Sequence, residues 1–267
     1  MSTDQSADSF SRGDIERALR RNEFLLVYQP IVSAQTARTI GIEALLRLKL
    51  PNGDLAFPDE FIGLAENTGL VDGIGDWALR RACRDGLRWP SLRVAVNISP
   101  KQLQHSGFAE RVRDILSETG FPAERLELEL TEHCPLTDVA QAQSNMAALR
   151  RTGVRLALDD FGAGYSGLIY LRRLPLDKIK IDRAFIESVE TREADILVRS
   201  IISLGRQLGL TVTAEGVEAA EHQAYLADAG CDELQGYLFS RPLPASDVDT
   251  LFGAGGASTR LRMAGAA

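Results

Sequence analysis

The feature that most constrains the fold is the alternation of short apolar runs with longer amphipathic segments along most of the chain. Strands that alternate with helices predict a parallel sheet, and eight of them in about 250 residues predict a (β/α)8 barrel. The connection 33–38 is too short for a crossover helix, so we expect a TIM-like barrel with an antiparallel first strand. The predicted strands are 24–32, 39–47, 92–99, 125–132, 154–160, 176–182, 210–215 and 231–237.

Helical patterns separate most of these strands. One helix before 210 is predicted from apolar residues at positions i, i+4, i+7 and i+11, and Gly209 suits the residue that ends it. Residues 134–151 and 219–229 are also predicted to be helical. The apolar residues of the pattern before 210 are Leu197, Ile201, Leu204 and Leu208.

The pattern contains no internal linker, so we expect a single domain over 13–252. Residues 1–12 are predicted to be a polar N-terminal segment, and the Gly/Ala-rich residues 253–267 a flexible tail. No apolar signal segment or run of about 18 apolar residues is present, which favours a cytoplasmic location without direct membrane contact. The net charge of -7 argues against binding to nucleic-acid polymers.

Three of the predicted strands carry polar side chains at alternate positions, although strands of a parallel sheet are usually apolar on both faces. These strands could be edge strands with one solvated face. Alternatively, the polar face could line the barrel interior towards its top, and the helical crossovers between the strands favour this second interpretation. The polar sets are Glu127 and Glu129, then Lys178, Lys180 and Asp182, then Thr211, Thr213 and Glu215.

Polar residues also concentrate where the predicted strands end, which is the face of a barrel that carries active sites. Five of them are carboxylates, which need compensating positive charge if they share one cavity. With only three histidines in the chain, Mg²⁺ or Mn²⁺ bound by oxygen ligands is the favoured compensation. An adjacent Asp pair suits two ions, a common arrangement for phosphoester cleavage. The residues are Glu43, Asn97, Glu129, Asp159, Asp160, Lys180, Glu215 and Gln235.

Eight ordered motifs give the chain a clear resemblance to a known family. From about residue 14 to residue 250, the sequence resembles the EAL domain, the cyclic-di-GMP-specific phosphodiesterase of bacteria. The family has a TIM-like barrel with an antiparallel first strand, in agreement with the strand count. The motifs are GIEALLR around Glu43, YQPIV (28–32), VNIS (96–99), ELTE (129–132), DDFGAGYS (159–166), KIKID (178–182), AEGVE (214–218) and QGYLFSRPLP (235–244).

The resemblance implies two Mg²⁺ or Mn²⁺ ions, with Ca²⁺ inhibitory. Asp159 and Asp160, with Glu215 close by, are expected around the second ion. Lys180 is expected to orient the attacking water, Glu215 to act as a general base, and Gln235 to support this region. The expected ligands of the first ion are Glu43, Asn97, Glu129 and Asp159.

The same resemblance implies hydrolysis of cyclic-di-GMP to linear 5′-pGpG. Arg47 is expected to hydrogen-bond a substrate phosphate with its planar fork. Gln29 and Asp182 are expected to contact the guanosine parts, and Glu218 to contact the substrate or support the site. Two alternatives remain open: a receptor that binds cyclic-di-GMP without cleaving it, and a related phosphodiesterase of different specificity. Every expected ligand position is filled, which favours the enzyme.

Glu132 is expected to anchor the loop 161–168, which the family links to homodimerisation. Ala163 and Gly167 depart from the common family pattern, so the strength of the dimer is left open. Such domains usually follow sensor or cyclase domains, so a longer parent protein, which could be membrane-anchored, is also expected.

Overall fold

The structure is a computed structural model that describes residues 10–131, 136–162 and 167–252. The strands in this part of the chain are β1 (Phe24–Ser33), β2 (Thr39–Lys49), β3 (Leu55–Ala56), β4 (Arg93–Ile98), β5 (Leu126–Thr131), β6 (Arg155–Phe161), β7 (Lys178–Ile181), β8 (Thr211–Ala214), β9 (Glu233–Gln235) and β10 (Leu243–Pro244). The α-helices are α1 (Arg12–Arg21), α2 (Pro58–Thr68), α3 (Val71–Gly86), α4 (Pro100–Gln104), α5 (Phe108–Thr119), α6 (Val139–Arg151), α7 (Gly167–Arg173), α8 (Arg183–Glu187), α9 (Arg192–Gln207), α10 (Ala220–Ala229) and α11 (Ala245–Phe252).

Eight strands close into a barrel in the order β1-β2-β4-β5-β6-β7-β8-β9, and β9 pairs back onto β1. Neighbours from β2 and β4 round to β9 are parallel, whereas β1 is antiparallel to both β2 and β9. The predicted TIM-like barrel with an antiparallel first strand is therefore confirmed. The short strand β3 pairs antiparallel with β2, and the short strand β10 pairs antiparallel with β1. The sequence pattern did not predict these two strands.

The polar faces of the strands line the barrel interior. On β5, the leucines at alternate positions pack in the apolar layer between the barrel and the helices, while Glu127 and Glu129 are buried on the opposite face. Lys178 on β7 contacts Glu127 on β5, although β6 lies between these two strands in the sheet. Such contacts require the side chains to meet inside the barrel, and the alternative of a solvated edge strand is wrong for β5 and β7.

The helix predicted before 210 is confirmed by α9, but its apolar pattern matches the buried face only in part. Ile201 is buried as part of that pattern, whereas Leu197 and Leu208 are about half exposed, and Val198 and Ile202 are buried instead. At Gly205, a Cβ atom would lie 2.4 Å from Val212 Cγ2, so α9 makes a close approach to the barrel at a position without a side chain. Ile201 is therefore the one residue of the apolar pattern that lies on the buried face of α9.

Two helix predictions concern boundaries. The helix expected over 134–151 begins at Val139, where the Asp138 side chain accepts a hydrogen bond from Gln141 N, and residues 136–138 are not helical. Gly209 follows α9 with a φ of +72°, the left-handed conformation expected beyond a helix end. Most of 1–12 and all of 253–267 lie outside the described residues, so the proposed domain limits stay predictions.

None of the helices in the described ranges combines the length and the apolar character needed to cross a bilayer.

Candidate metal and phosphoester site

The carboxyl ends of the barrel strands bring the predicted polar residues together around Lys180. Its side chain is fully buried, and Nζ lies 2.8 Å from Glu129 Oε2 and 2.6 Å from Glu215 Oε1. Asp159 Oδ1 lies 3.2 Å from the same nitrogen, and Glu43 Oε2 lies 3.4 Å from it. Four carboxylates from four strands or strand ends thus surround one ammonium group, which leaves a formal excess of negative charge.

Glu43 has the largest number of donors in this cluster. Asn97 Nδ2 donates to Glu43 Oε1 at 2.6 Å, and Gln235 Nε2 donates to Glu43 Oε2 at 2.7 Å. Burial alone would raise the pKa of Glu43, but Lys180 and these two amides outweigh it, so the pKa is lowered. Glu43 is therefore held as a carboxylate by its neighbours.

The other three carboxylates have raised pKa values. Burial raises the pKa of Glu129 well above its ordinary value and that of Asp159 above its own, and Lys180 offsets only part of each effect. Burial and the nearby Asp159 charge raise the pKa of Glu215 to about 8. Burial would lower the pKa of Lys180, but the four carboxylates raise it, so this lysine stays charged. One cation is insufficient for this cluster, which is a physical reason to expect further positive charge here.

The end of β6 presents two successive aspartates in different directions. The register between β6 and β7 shifts between Leu158 and Phe161, and Asp160 adopts φ +55°. This left-handed conformation is uncommon for a residue with a Cβ atom and often occurs at functional sites. The Asp160 amide donates to Asp159 Oδ1 at 3.0 Å, so the irregular backbone also fixes the neighbouring carboxylate.

The donor set fits divalent cations. Two overlapping groups each offer carboxylate oxygens within 4.8 Å of one another, and Asp159 belongs to both. Among the described residues, the buried Glu129 Oε1 has no hydrogen-bond partner, as expected for an oxygen reserved for another ligand. Carboxylates and an amide carbonyl are the ligands that Mg²⁺ and Mn²⁺ prefer. The two groups are Glu43, Glu129 and Asp159, and Asp159, Asp160 and Glu215.

The predicted substrate contacts lie around this cluster, but only some of them contact its residues directly. Gln29 accepts a hydrogen bond from Gln235 Nε2 and donates to Ser240 O, so it belongs to the site. The guanidinium of Arg47 lies 4.4 Å from the ring centre of Phe57, and Nη1 donates to Leu46 O. Asp182 caps α8 by accepting from Ala184 N at 2.8 Å.

Two cavities open beside the carboxylates. The larger, of about 670 Å³, reaches from Asn97, Asp159 and Asp182 into the space between β2, β4, α2 and α3. The smaller, of about 210 Å³, is lined by Glu43, Glu215, Glu218 and Gln235 among others. The site therefore has room for a ligand larger than an ion on both sides of Asp159, which lines both cavities.

Several cavity residues were not predicted from the sequence. Ser99 Oγ donates to Glu66 Oε1 at 2.6 Å in the wall of the larger cavity, while Arg183 and Tyr237 line the smaller one. Arg183 directly follows the motif KIKID and Tyr237 lies within the motif QGYLFSRPLP, and these positions were an available signal. Glu66 lies in an ordinary amphipathic helix and gave none.

Glu132, the predicted loop anchor, lies outside the described residues, and so do residues 163–166 of the loop 161–168. Their roles stay predictions.

A closed α/β barrel with clustered carboxylates at the carboxyl ends of its strands, two groups of which could hold a metal ion, defines a class of barrel protein suited to metal-dependent chemistry. The EAL domain family model matches residues 12–242, and the chain belongs to this family. The predicted family is thus confirmed.

The relatives include proteins named for their activity. The chain is 43% identical over 243 residues to the cyclic di-GMP phosphodiesterase NbdA of Pseudomonas aeruginosa, covering 88% of this chain and 31% of that protein. It is 41% identical over 241 residues to the bifunctional diguanylate cyclase/cyclic di-GMP phosphodiesterase MucR of the same organism, covering 88% of this chain and 35% of MucR. The chain thus spans about a third of the length of these relatives.

Solved structures agree with this assignment. The PaMucR phosphodiesterase in its c-di-GMP complex superposes with a TM-score of 0.82 at 40% identity, covering 88% of this chain and 98% of that one. The FimX EAL domain of Pseudomonas aeruginosa, solved bound to c-di-GMP, gives a TM-score of 0.74 at 25% identity, covering 86% and 94% of the two chains.

Proposed function

We propose that this chain hydrolyses cyclic-di-GMP to linear 5′-pGpG. The observation that carries the proposal is the complete acidic cluster around Lys180, which lies beside a cavity of about 670 Å³ at the mouth of an EAL barrel. The names of NbdA and MucR, which give cyclic di-GMP phosphodiesterase as their activity, support cyclic-di-GMP as the substrate.

Two Mg²⁺ or Mn²⁺ ions are the proposed cofactors, held by the two groups that share Asp159, with the Asn97 carbonyl oxygen joining the first group. Divalent ions in such a site lower the pKa of water and stabilise charge on phosphoryl oxygens. Two ions would add four positive charges to the cluster, so a substrate with two anionic phosphates could approach carboxylates that otherwise repel it.

The contacts support the residue roles that the family resemblance implies. The ammonium group of Lys180 lies at the centre of the carboxylates, and its role is to orient the attacking water. Glu215, at the edge of both the cluster and the smaller cavity, is placed to accept a proton from this water. Gln235 fixes Glu43 and Gln29 at once, so it aligns a cation ligand with a substrate contact.

Substrate binding would involve Gln29, Arg47, Asp182 and Glu218. Arg47 lines neither cavity, so its guanidinium would turn from Phe57 towards the cavity to reach a phosphate. Asp182 lines the larger cavity and Glu218 the smaller one, which matches a dinucleotide that extends across Asp159.

The proposal is tested by incubating the chain with cyclic-di-GMP and Mg²⁺, Mn²⁺ or Ca²⁺, and following pGpG by chromatography. We expect turnover with Mg²⁺ and Mn²⁺ and inhibition by Ca²⁺, whose larger and looser coordination disturbs the ligand geometry. Glu43→Ala is the matched inactive variant, and cyclic-di-AMP tests specificity. Tight binding of cyclic-di-GMP without pGpG under all three ions would contradict the enzyme and support a receptor.

We also propose that the chain acts in the cytoplasm as a homodimer, fused in a longer protein to a sensor or cyclase domain. The relatives support this fusion, since the chain spans about a third of their length. Ile169 on α7 and Leu197 on α9 are exposed apolar side chains available for association. Sedimentation equilibrium measures the oligomeric state directly.

A further inference from the structure

A second layer of buried charge lies directly beneath the site. Lys178 Nζ lies 2.5 Å from Glu127 Oε1 and 2.6 Å from Glu233 Oε2, and all three side chains are at most 5% exposed. Thr213 Oγ1 donates to Glu233 Oε2 at 3.1 Å. We call Lys178, Glu127 and Glu233 the lower triad. The proposed reaction does not use the lower triad, and Lys178 in KIKID is its one member that lies within a motif.

Each member of the lower triad precedes a site residue by two positions on the same strand. Glu127 precedes Glu129 on β5, Lys178 precedes Lys180 on β7, and Glu233 precedes Gln235 on β9. Because side chains alternate along a strand, each pair points to the same side. The lower triad and the site therefore form two successive layers carried by the same three strands.

These three strands have no backbone hydrogen bonds to one another, because β6 separates β5 from β7 and β8 separates β7 from β9. Their relative position depends on the intervening strands and on side chains that cross the interior. Ala157 on β6 pairs with Lys178, and its small side chain leaves room for the long lysine. The Lys178–Glu127 contact is repeated one layer higher by Lys180–Glu129, at 2.8 Å.

Stability alone does not account for a buried ionic triad. Removing each ion from water costs several kcal/mol, and well-packed apolar side chains often replace buried ion pairs without loss. Directional contacts instead fix the position of their partners more narrowly than apolar packing does. A metal and phosphoester site needs its ligands held to within about 0.5 Å.

We propose that the lower triad is a positioning layer, in which Lys178 fixes β5, β7 and β9 so that Lys180, Glu129 and Gln235 keep the geometry of the site. The proposal rests on the proposed function for its kinetic consequence. Its structural consequence, the affinity of the carboxylates for a cation, is independent of any turnover.

The test is the paired variant Lys178→Met/Glu127→Gln, which removes one positive and one negative charge. Glu233 then keeps its ion pair with Arg93, whose Nη2 donates to Glu233 Oε1. Mn²⁺ binding is titrated by electron paramagnetic resonance, and kcat and KM are measured from pGpG formation. Since outer partners of metal ligands typically contribute 10- to 100-fold, we expect about a tenfold or larger loss in Mn²⁺ affinity and in kcat, with KM within about twofold. The single variant Lys178→Arg keeps the positive charge and should retain most of the wild-type Mn²⁺ affinity and kcat.

Tyr28→Phe is the control. It removes the buried hydrogen bond from Tyr28 to Asp85, 2.6 Å long, in the outer apolar layer. We expect a loss of stability without a change in Mn²⁺ affinity. A folded paired variant with wild-type Mn²⁺ affinity and kcat would overturn the proposal. If the paired variant does not fold, Thr213→Val replaces it: about threefold weaker Mn²⁺ binding is expected from the lost contact to Glu233, and unchanged binding would overturn the proposal.

The two proposals fail in different ways. Wild-type protein that binds Mn²⁺ but forms no pGpG contradicts the proposed function, and the positioning role is then decided by Mn²⁺ affinity alone. Wild-type protein that binds no Mn²⁺ overturns both.

Discussion

Glu129→Gln is expected to reduce kcat for cyclic-di-GMP roughly a thousandfold, because a lost cation ligand removes about 4 kcal/mol of transition-state stabilisation. The substitution preserves the shape of a side chain with no exposed surface, so packing around it should persist. It removes the negative charge that faces Lys180 and converts one oxygen into an NH₂ group that repels a cation. The measurement is pGpG formation at saturating Mg²⁺, together with a Mn²⁺ titration.

The control for Glu129→Gln is Glu118→Gln on α5, where the exposed carboxylate pairs with Arg80 and Arg84 and lines neither cavity. Surface ion pairs of this kind contribute little, so activity should match the wild type. A tenfold loss of kcat corresponds to only about 1.36 kcal/mol of activation free energy. If Glu129→Gln keeps more than about a tenth of the wild-type kcat, Glu129 is not a required ligand.

Lys180→Met is expected to destabilise the fold by about 3–5 kcal/mol in EDTA, since it leaves buried carboxylates without their cation. If Glu43, Glu129 and Asp159 bind a cation as proposed, the loss should be smaller in millimolar Mg²⁺, because the bound ion would supply the missing positive charge and stabilise the folded state by mass action. Urea denaturation curves with EDTA and with Mg²⁺ measure both values. Activity should be lost under either condition.

The comparison between the two conditions is the informative part of the Lys180→Met experiment. Wild-type protein measured in parallel gives the stabilisation by Mg²⁺ when Lys180 is present. An equal loss of stability with and without Mg²⁺ would mean that Lys180 and the cation do not compensate the same charges.

The sequence predicted the barrel because alternation along each strand records which face is apolar. The charged residues on β5 and β7 broke the expected apolar pattern, and this departure correctly predicted a polar interior. The contact face of α9 could not be predicted in the same way. Its closest approach to the barrel is at Gly205, and a hydrophobic pattern gives no weight to a residue without a side chain.

Site residues could be predicted where the alternation along a strand fixes the direction of the side chain. They could be predicted less well where a long side chain has several possible orientations. Glu129, Lys180 and Gln235 point inwards because of their strand positions. The direction of Arg47 instead depends on Phe57, which precedes α2 and carries no motif. The lower triad was visible as a polar pattern, but only the contacts across the barrel revealed that its members meet.

The hydrogen bond from Gln235 to Gln29 has a consequence for folding. It joins residues 206 positions apart and crosses the seam at which β9 closes onto the antiparallel first strand. Contacts of such long range form late in folding, because the chain loses the entropy of closing a long loop before the contact can stabilise it. Gln235 also holds Glu43 across this seam. A nascent or partly opened chain therefore lacks an assembled cation site, and the onset of activity should coincide with closure of the ring.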